Sequence, residues 1–309
     1  MSLVKRLFDP TKRRPLVLGH RGVPKQAPEN TAEGLAAARA LGLDGVEVDV
    51  MCTADGEVVL SHDEDTERLC GVNARVADLT FAELSLSPIQ RRFDRGDGGF
   101  VDYGRPHRVP RLSEVLGAFP DLLFNLELKP SVPAWGERHV GQRVAQVIAA
   151  CGAQDRVFVT SFDFFKLRAL EAECPGLHSG FAYDDDFVDY VPSWLDKQPE
   201  WGSELAFAAG NQNRPSLIGG LLEADGVGHH IGSTVTGLEH SLIDGDTIER
   251  VRAKGLAVGA YTMHPLDTRN VKRRLTDAEF DDLARALAAR GVDWFEGDDP
   301  ERLLEVLGR

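Results

Sequence analysis

Two acidic residues in one short apolar run are the first sign of chemistry in this sequence. In residues 45–50 (GVEVDV), Glu47 and Asp49 alternate with valines. Side chains two positions apart on a strand share a face, so both carboxylates point one way and the valines the other. Two buried carboxylates repel each other unless something positive compensates, and oxygen ligands suit Mg²⁺ or Ca²⁺. The alternative is a half-exposed strand whose polar side faces solvent.

A second run repeats this alternation. In residues 125–129 (NLELK), the polar side chains, including Glu127 and Lys129, share one face and the leucines share the other. Helices cover the outside of a parallel barrel, so the polar face of such a strand points inward. We therefore expect Glu127 to join Glu47 and Asp49 in a site for one divalent ion. Lys129 would contact a bound anion there, or form a salt bridge with Glu47 or Glu127.

Two histidines follow predicted strands. His20 and Arg21 stand between two glycines at the end of the first strand, and His62 ends the short run 57–61 (EVVLS). Two imidazoles can serve as a general base and a general acid, and arginine suits anion binding. The alternative is that each histidine is structural, which is the commoner role of a lone histidine.

Other polar residues are candidates by position alone. Glu29 precedes the first helix, and we expect it to hydrogen-bond the loop after the first strand. Asn30, with Glu33 three residues later, indicates a capping box that opens this helix. His229 and His230 are candidates only because they follow a predicted strand.

Short apolar runs alternate with helical runs rich in Ala, Leu and Arg along the whole chain. Strands are predicted at 16–19, 45–50, 122–128, 156–161, 178–182, 224–228, 257–263 and 292–296. Helices are predicted at 31–41, 112–118, 138–151, 164–173, 246–254, 277–290 and 300–308, with one more within 193–222. Eight strands, each followed by a helix, is the count of an α/β fold of the (β/α)8 TIM-barrel type. We predict one such domain over 1–309.

Two stretches interrupt the alternation. Residues 57–61 follow the second strand too closely for a parallel crossover, and Asp55-Gly56 is a hairpin signal, so they indicate an antiparallel excursion. We predict an insertion over 52–110 after strand 2 and a long loop or helical insertion over 184–222 after strand 5. Both would lie over the carboxyl-terminal mouth, where barrel active sites are found.

Composition excludes several classes of partner. The chain has 309 residues, and 35 Lys+Arg against 49 Asp+Glu give a net charge of −14. This acidity argues against a nucleic-acid partner, because phosphate backbones are bound by basic surfaces. No uncharged apolar stretch approaches the ~18 residues of a membrane span. The four cysteines include no close pair, which favours a reducing cytoplasm. The sequence does not indicate an oligomeric state.

Taken in order, these motifs resemble the glycerophosphodiester phosphodiesterase family. The matching segments are residues 20–22 (HRG), 28–31 (PENT), 45–49 (GVEVD), 55–56 (DG), 62–63 (HD), 109–112 (VPRL), 125–129 (NLELK) and 161–163 (SFD). The resemblance implies a TIM barrel with an insertion after strand 2. It also implies metal-dependent hydrolysis of a small phosphodiester to sn-glycerol 3-phosphate and an alcohol.

The resemblance also implies residue roles. Glu47, Asp49 and Glu127 would bind one divalent ion, Mg²⁺ or Ca²⁺. His20 and His62 would transfer protons, one as acid and one as base, in either order. Arg21 and Lys129 would contact the phosphate. The second half departs from the family pattern, with YTMH at 261–264 in place of Trp-Thr-Val-Asn. Tyr261 would stack on an apolar part of the substrate, or its ring would only pack against the protein. Two alternatives remain: a lysophospholipase D-like or other phosphodiesterase, and a barrel that binds phosphate compounds without hydrolysis.

Overall fold

A closed parallel barrel forms the centre of the protein. This computed structural model describes residues 2–12, 14–130, 137–184, 214–243, 245–261, 263, 265–269 and 274–309. The strands are β1 (Leu16–His20), β2 (Gly45–Cys52), β3 (Val58–Leu60), β4 (Arg92–Asp94), β5 (Phe100–Asp102), β6 (Leu123–Leu128), β7 (Val157–Ser161), β8 (His178–Tyr183), β9 (Val235–Glu239), β10 (Ala257–Tyr261) and β11 (Trp294–Gly297). Eight of them run in the order β1-β2-β6-β7-β8-β9-β10-β11, and β11 pairs with β1 to close the ring. The predicted TIM barrel is confirmed.

Helices separate most barrel strands. They are α1 (Ala32–Ala40), α2 (Glu67–Cys70), α3 (Phe81–Leu84), α4 (Leu112–Ala118), α5 (His139–Ala150), α6 (Phe164–Glu173), α7 (Arg214–Glu223), α8 (Asp225–Ile231), α9 (Thr247–Ala253), α10 (Asp277–Arg290) and α11 (Pro300–Val306). The outward valines and leucines of β2 and β6 pack in one large apolar cluster with the helix faces. This packing leaves the polar side chains of both strands facing the lumen.

The opposite end of the barrel is filled by apolar side chains. Leu16, Leu18, Phe158 and Trp294 form a cluster with residues of a 3₁₀ helix, Val4–Phe8, that precedes β1. The indole of Trp294 needs the space beside Gly259, because a Cβ there would lie 2.0 Å from the ring. A plugged lower end leaves the carboxyl-terminal mouth as the place for a polar site.

The segment between β2 and β6 carries most of the additional structure. As predicted, the excursion strand β3 pairs antiparallel with β2, and Gly56 in the turn has a φ of +78°. Further on, β4 and β5 form an antiparallel hairpin. This segment packs against Met51 of β2 in a small core, whose other members are Val59, Cys70, Val76, Phe81, Leu84, Ile89 and Val109. That core fixes α2 beside the barrel mouth.

The prediction of strand 6 is wrong. Residues 224–228 open helix α8, where Val227 and Ile231 are both buried at helical spacing, and the strand is β9, further along. His229 and His230 therefore lie in the last turn of α8, ahead of β9, and not at the carboxyl end of a strand. The helix predicted within 193–222 corresponds to α7, which begins at Arg214. Residues 185–213, which are most of the predicted 184–222 insertion, lie outside the described residues.

Two other expectations concern the membrane and the cysteines. No helix among the described residues is long and apolar enough to cross a membrane. Cys52, Cys70, Cys151 and Cys174 are all free thiols.

Candidate active site

Three carboxylates from two neighbouring strands meet at the mouth of the barrel. Glu47 and Asp49 lie on β2, and Asp49 pairs in register with Glu127 on β6. One carboxylate oxygen from each of the three lies within 4.8 Å of the others. The structure therefore brings together the acids that the two alternating runs point to.

The Glu47 carboxylate is the least compensated of the three. Burial raises its pKa well above the ordinary value, and the charges of Asp49, Glu296 and Glu127 raise it further. Its Oε1 atom is buried and has no hydrogen-bond partner. An unpartnered buried oxygen among carboxylates is the donor arrangement that suits a hard divalent cation.

Asp49 is held by Asn30, and the helix cap that the sequence predicts for Asn30 is wrong. Asn30 does not cap helix α1: Thr31 does, and its hydroxyl accepts from the Gly34 N–H. Asn30 instead adopts a left-handed backbone with a φ of +58°. Its Nδ2 donates to Asp49 Oδ2 at 2.8 Å, and its Oδ1 accepts from the Asp49 N–H at 3.1 Å. This pair of bonds fixes the carboxylate in the site.

Arg21 turns back over the acids because its own backbone is left-handed, with a φ of +56°. Its N–H donates to Glu47 Oε2 at 3.0 Å, and its Nε lies 3.2 Å from Asp49 Oδ2. Its Nη1 donates to Glu29 Oε1 at 3.1 Å, so Glu29 contacts the loop after β1. The guanidinium is thus oriented from several sides.

Lys129 contacts two of the acids. Its Nζ lies 2.6 Å from Glu127 Oε1 and 3.2 Å from Asp49 Oδ1. Burial alone would lower the pKa of Lys129, but Glu127 and Asp49 raise it above the ordinary value. The same two cations, Lys129 and Arg21, hold the pKa of Asp49 well below its usual range in spite of burial. Both cations are therefore charged beside the carboxylates.

His20 is paired with a residue from the other end of the chain. Its Nδ1 lies 2.6 Å from Asp298 Oδ1, and its Nε2 lies 3.8 Å from Glu47 Oε2. Asp298 follows β11 directly, and no motif in the sequence singles it out. Asp299 does cap α11, with Pro300 in the first turn. The signal for Asp298 was its place at the carboxyl end of a barrel strand.

His62 follows the excursion strand β3 and is paired with its chain neighbour. Its Nδ1 lies 2.6 Å from Asp63 Oδ1. Burial lowers the pKa of His62 below its ordinary value, and the charges of Arg21 and Lys129 lower it further. Each imidazole therefore has a carboxylate at Nδ1, which leaves its Nε2 for other partners.

Arg68 and Glu296 are two further charged residues of this region that the sequence reasoning missed. Arg68 donates from Nη1 to Glu29 Oε2 at 2.8 Å and from Nη2 to Glu29 Oε1 at 2.6 Å. Glu296 is buried on β11, where it accepts from Asn125 and from the indole of Trp294, each at 2.7 Å. Burial raises the pKa of Glu296 to about 7. Arg68 belongs to no run with a visible pattern, and Glu296 ends the predicted strand 292–296, in which no second acid shares its face.

Tyr261 ends β10 at the same side of the barrel. Its hydroxyl donates to the Tyr183 carbonyl, and its ring meets Phe162 edge to face with centroids 6.4 Å apart. The hydroxyl is thus engaged with the backbone, and the ring contributes an apolar edge.

Together these groups can bind a cation and an anion and can move protons between them. The acids offer oxygen ligands, the cations Arg21 and Lys129 offer charge to a phosphate, and the two imidazoles are each oriented by a carboxylate. Phosphoryl transfer needs this combination of charge stabilisation and proton transfer.

The chain is similar to known proteins of one family. The model of the glycerophosphoryl diester phosphodiesterase family matches residues 20–302. A glycerophosphodiester phosphodiesterase from Caldanaerobacter subterraneus subsp. tengcongensis is 31% identical over 176 residues, which are 56% of this chain and 69% of that protein. A human lysophospholipase D is 36% identical over 114 residues, which are 36% of this chain and 35% of that protein.

A solved structure gives the same fold. It is an Oleispira antarctica phosphodiesterase in complex with the product sn-glycerol-3-phosphate, with a TM-score of 0.65 at 22% identity. The match covers 96% of this chain and 98% of that one. Since the family model spans the barrel from the end of β1 to α11, the chain belongs to the glycerophosphoryl diester phosphodiesterase family.

Proposed function

We propose that this protein hydrolyses glycerophosphodiesters to sn-glycerol 3-phosphate and an alcohol, with one divalent ion, Mg²⁺ or Ca²⁺, as cofactor. The observation that carries the proposal is the meeting of Glu47, Asp49 and Glu127 within 4.8 Å beside two carboxylate-held imidazoles. Membership of the family supports it. So does the sn-glycerol-3-phosphate product bound to the Oleispira antarctica enzyme of the same fold.

Glu47, Asp49 and Glu127 would hold the ion. The donor set fits, because all three groups are carboxylates and the buried Oε1 of Glu47 has no partner in the protein. When bound, the ion supplies positive charge against the negative charge that develops on the phosphoryl oxygens.

Arg21 and Lys129 bind the phosphate in this proposal. Both are charged and held in place by the acids that they contact. Two cations on one phosphodiester orient it and add to the stabilisation of its charge. Glu29 fixes the Arg21 guanidinium through their hydrogen bond of 3.1 Å.

His20 and His62 move the protons. Asp298 and Asp63 each accept from Nδ1–H of one ring, so the Nε2 atoms face the reacting groups. One imidazole takes the proton from the attacking oxygen, which is water or a neighbouring glycerol hydroxyl. The other imidazole gives its proton to the departing alcohol oxygen as the phosphorus–oxygen bond breaks. Attack by the glycerol hydroxyl would leave a cyclic phosphate, which water then opens to sn-glycerol 3-phosphate with the two rings in exchanged roles. Tyr261 lies against the alcohol side of the substrate through its ring.

Turnover of glycerophosphocholine tests the proposal. We expect activity with added Mg²⁺ or Ca²⁺, loss of activity with EDTA, and at least ~100-fold loss in Glu47→Ala. Activity that persists in EDTA or in Glu47→Ala contradicts the role of the ion. Calorimetric binding of sn-glycerol 3-phosphate with no turnover would instead favour a barrel that only binds.

A lysophospholipid is the second candidate substrate. The similarity to the human lysophospholipase D, which is 36% identical over 114 residues, favours this substrate. Parallel assays of glycerophosphocholine and lysophosphatidylcholine separate the two candidates. Turnover of the lipid alone would assign the lysophospholipase D activity.

We also propose that residues 1–309 form one domain in which 52–110 is an insertion. A small core formed mainly by residues of that segment supports the insertion. The cytoplasmic location predicted from the cysteines remains a prediction.

A further inference from the structure

Arg68 lies between two carboxylates near the barrel mouth, those of Glu29 and Asp63. It is on the short helix α2 of the segment between β2 and β6, and its side chain is 15% exposed. The Leu69 carbonyl accepts from the Gln90 N–H at 2.8 Å, and Cys70 packs in the small core. The helix that carries Arg68 is thereby fixed against its own segment.

All three nitrogen atoms of the Arg68 guanidinium face carboxylates. Nη1 and Nη2 form a fork on the two oxygens of Glu29, at 2.8 and 2.6 Å. Nε donates to Asp63 Oδ2. A planar guanidinium can hold two carboxylates in fixed geometry at once, and an ammonium group cannot.

Each of these carboxylates holds one group of the proposed machinery. Glu29 accepts from Arg21 Nη1 at 3.1 Å, and Asp63 lies 2.6 Å from His62 Nδ1. The contacts form an unbroken series from Arg21 through Glu29, Arg68 and Asp63 to His62. Asp63 Oδ2 is engaged by Arg68, so its Oδ1 is aimed at the imidazole.

We propose that Arg68 is a positioning residue that orients Arg21 for the phosphate and His62 for proton transfer through Glu29 and Asp63. This inference rests on the proposed function and adds a residue to it. Because Arg68 belongs to the segment between β2 and β6, that segment sets the geometry of both groups. The carboxylates of Glu29 and Asp63 would repel each other without the Arg68 guanidinium between them.

Three single variants separate the effect of Arg68 on Arg21 from its effect on His62. Glu29→Gln weakens the direct contact to Arg21 and reaches His62 only through Arg68, so we expect mainly a higher KM for glycerophosphocholine. Asp63→Asn weakens the direct contact to His62 and reaches Arg21 only through Arg68, so we expect mainly a lower kcat. Arg68→Gln loosens both, and we expect kcat/KM to fall about 10- to 100-fold, with both constants changed. Arg91→Gln is the matched control, because Arg91 is in the same segment and pairs with Asp102 at 3.0 Å.

The tautomer of His62 is a readout that a merely structural role would not move. In ¹⁵N-labelled protein without substrate, we expect the Nδ1–H tautomer of neutral His62 in the wild type and in Arg91→Gln. We expect a mixture of tautomers in Arg68→Gln and in Asp63→Asn. An Arg68→Gln protein whose His62 signals match the wild type overturns the inference. If Arg68→Gln does not fold, wild-type His62 signals in Asp63→Asn overturn it equally. Absence of wild-type turnover rejects the proposed function, and the tautomer then still decides the role of Arg68.

Discussion

The Asp298 carboxylate accepts from His20 Nδ1 at 2.6 Å, although the two residues are 278 positions apart in the chain. Its other oxygen accepts from the Leu266 N–H in the segment after β10. Burial would raise the pKa of Asp298, but the charges of His20 and Arg21 hold it below its ordinary value. The Asp298 carboxylate, which directly follows β11, therefore contacts both the His20 ring at the end of β1 and the loop after β10.

Asp298→Asn tests this link. A carboxamide can donate to Nδ1, which would favour the wrong tautomer of His20 and direct its Nε2 proton into the site. We expect kcat for glycerophosphocholine to fall at least ~100-fold with little change in KM or in thermal unfolding temperature. Asp299→Asn is the adjacent control, since Asp299 caps α11. An equal loss of kcat in both variants would contradict a special role for Asp298.

Asn30→Gly tests the support of the proposed metal site. Glycine keeps the left-handed backbone that Asn30 adopts at a φ of +58°, so the variant removes only the side-chain bonds to Asp49. Loss of such a supporting contact typically costs 10- to 100-fold in metal affinity. We expect this weakening for Mg²⁺ and Ca²⁺ by calorimetry. Affinity within about threefold of the wild type would show that Asp49 is oriented without Asn30.

The acids of β2 and β6 could be predicted from the sequence because they depend on a local rule. Alternation with valine or leucine places every second side chain in the lumen, whichever barrel contains the strand. The antiparallel β3 was also predictable, since the turn at Gly56 is too short for a crossover. Local patterns thus supply the metal-binding candidates and most of the barrel.

The residues that hold the site together could not be found in this way. The contact of Asp298 with His20 and that of Arg68 with Glu29 join residues far apart in the chain, and no local pattern marks either contact. Asn30 has the residue type of a helix cap, but its left-handed backbone turns it to Asp49. Strand β9 was missed because Val227 lies in an apolar run that serves equally well as one face of a helix. These outcomes depend on tertiary contacts.

Tyr261 provides a test of the alcohol side of the pocket. Its hydroxyl is engaged by the Tyr183 carbonyl, so we expect the ring, and not the hydroxyl, to contact substrate. Tyr261→Phe should leave KM for glycerophosphocholine within about twofold, and Tyr261→Ala should raise it about 5- to 20-fold. Steady-state kinetics of both variants measure this difference. A larger KM effect in the Phe variant than in the Ala variant would contradict the assignment.

Glu296 makes stability depend on pH in the metal-free protein. Its folded-state pKa of about 7 lies above the ordinary value of 4.5, so folding favours the protonated carboxyl. Below about pH 4.5 the carboxyl is protonated in both the folded and the unfolded state, and it costs no stability. As pH rises from about 4.5 through about 7, the unfolded chain ionises before the folded protein does, so the free energy of unfolding falls, and the loss levels off above about pH 7. Glu296→Gln keeps an acceptor for Asn125 and Trp294 but cannot ionise.

The free energy of unfolding of Glu296→Gln, relative to wild type, should therefore rise between pH 4.5 and 8, by up to roughly 3 kcal/mol. Urea unfolding in EDTA at several pH values measures this difference. Glu305→Gln, an exposed change on α11, is the control variant measured in parallel. A difference for Glu296→Gln that is flat with pH would mean that Glu296 ionises as easily in the fold as in the unfolded chain. The hydrogen bonds from Asn125 and Trp294 would then offset the cost of burying its charge.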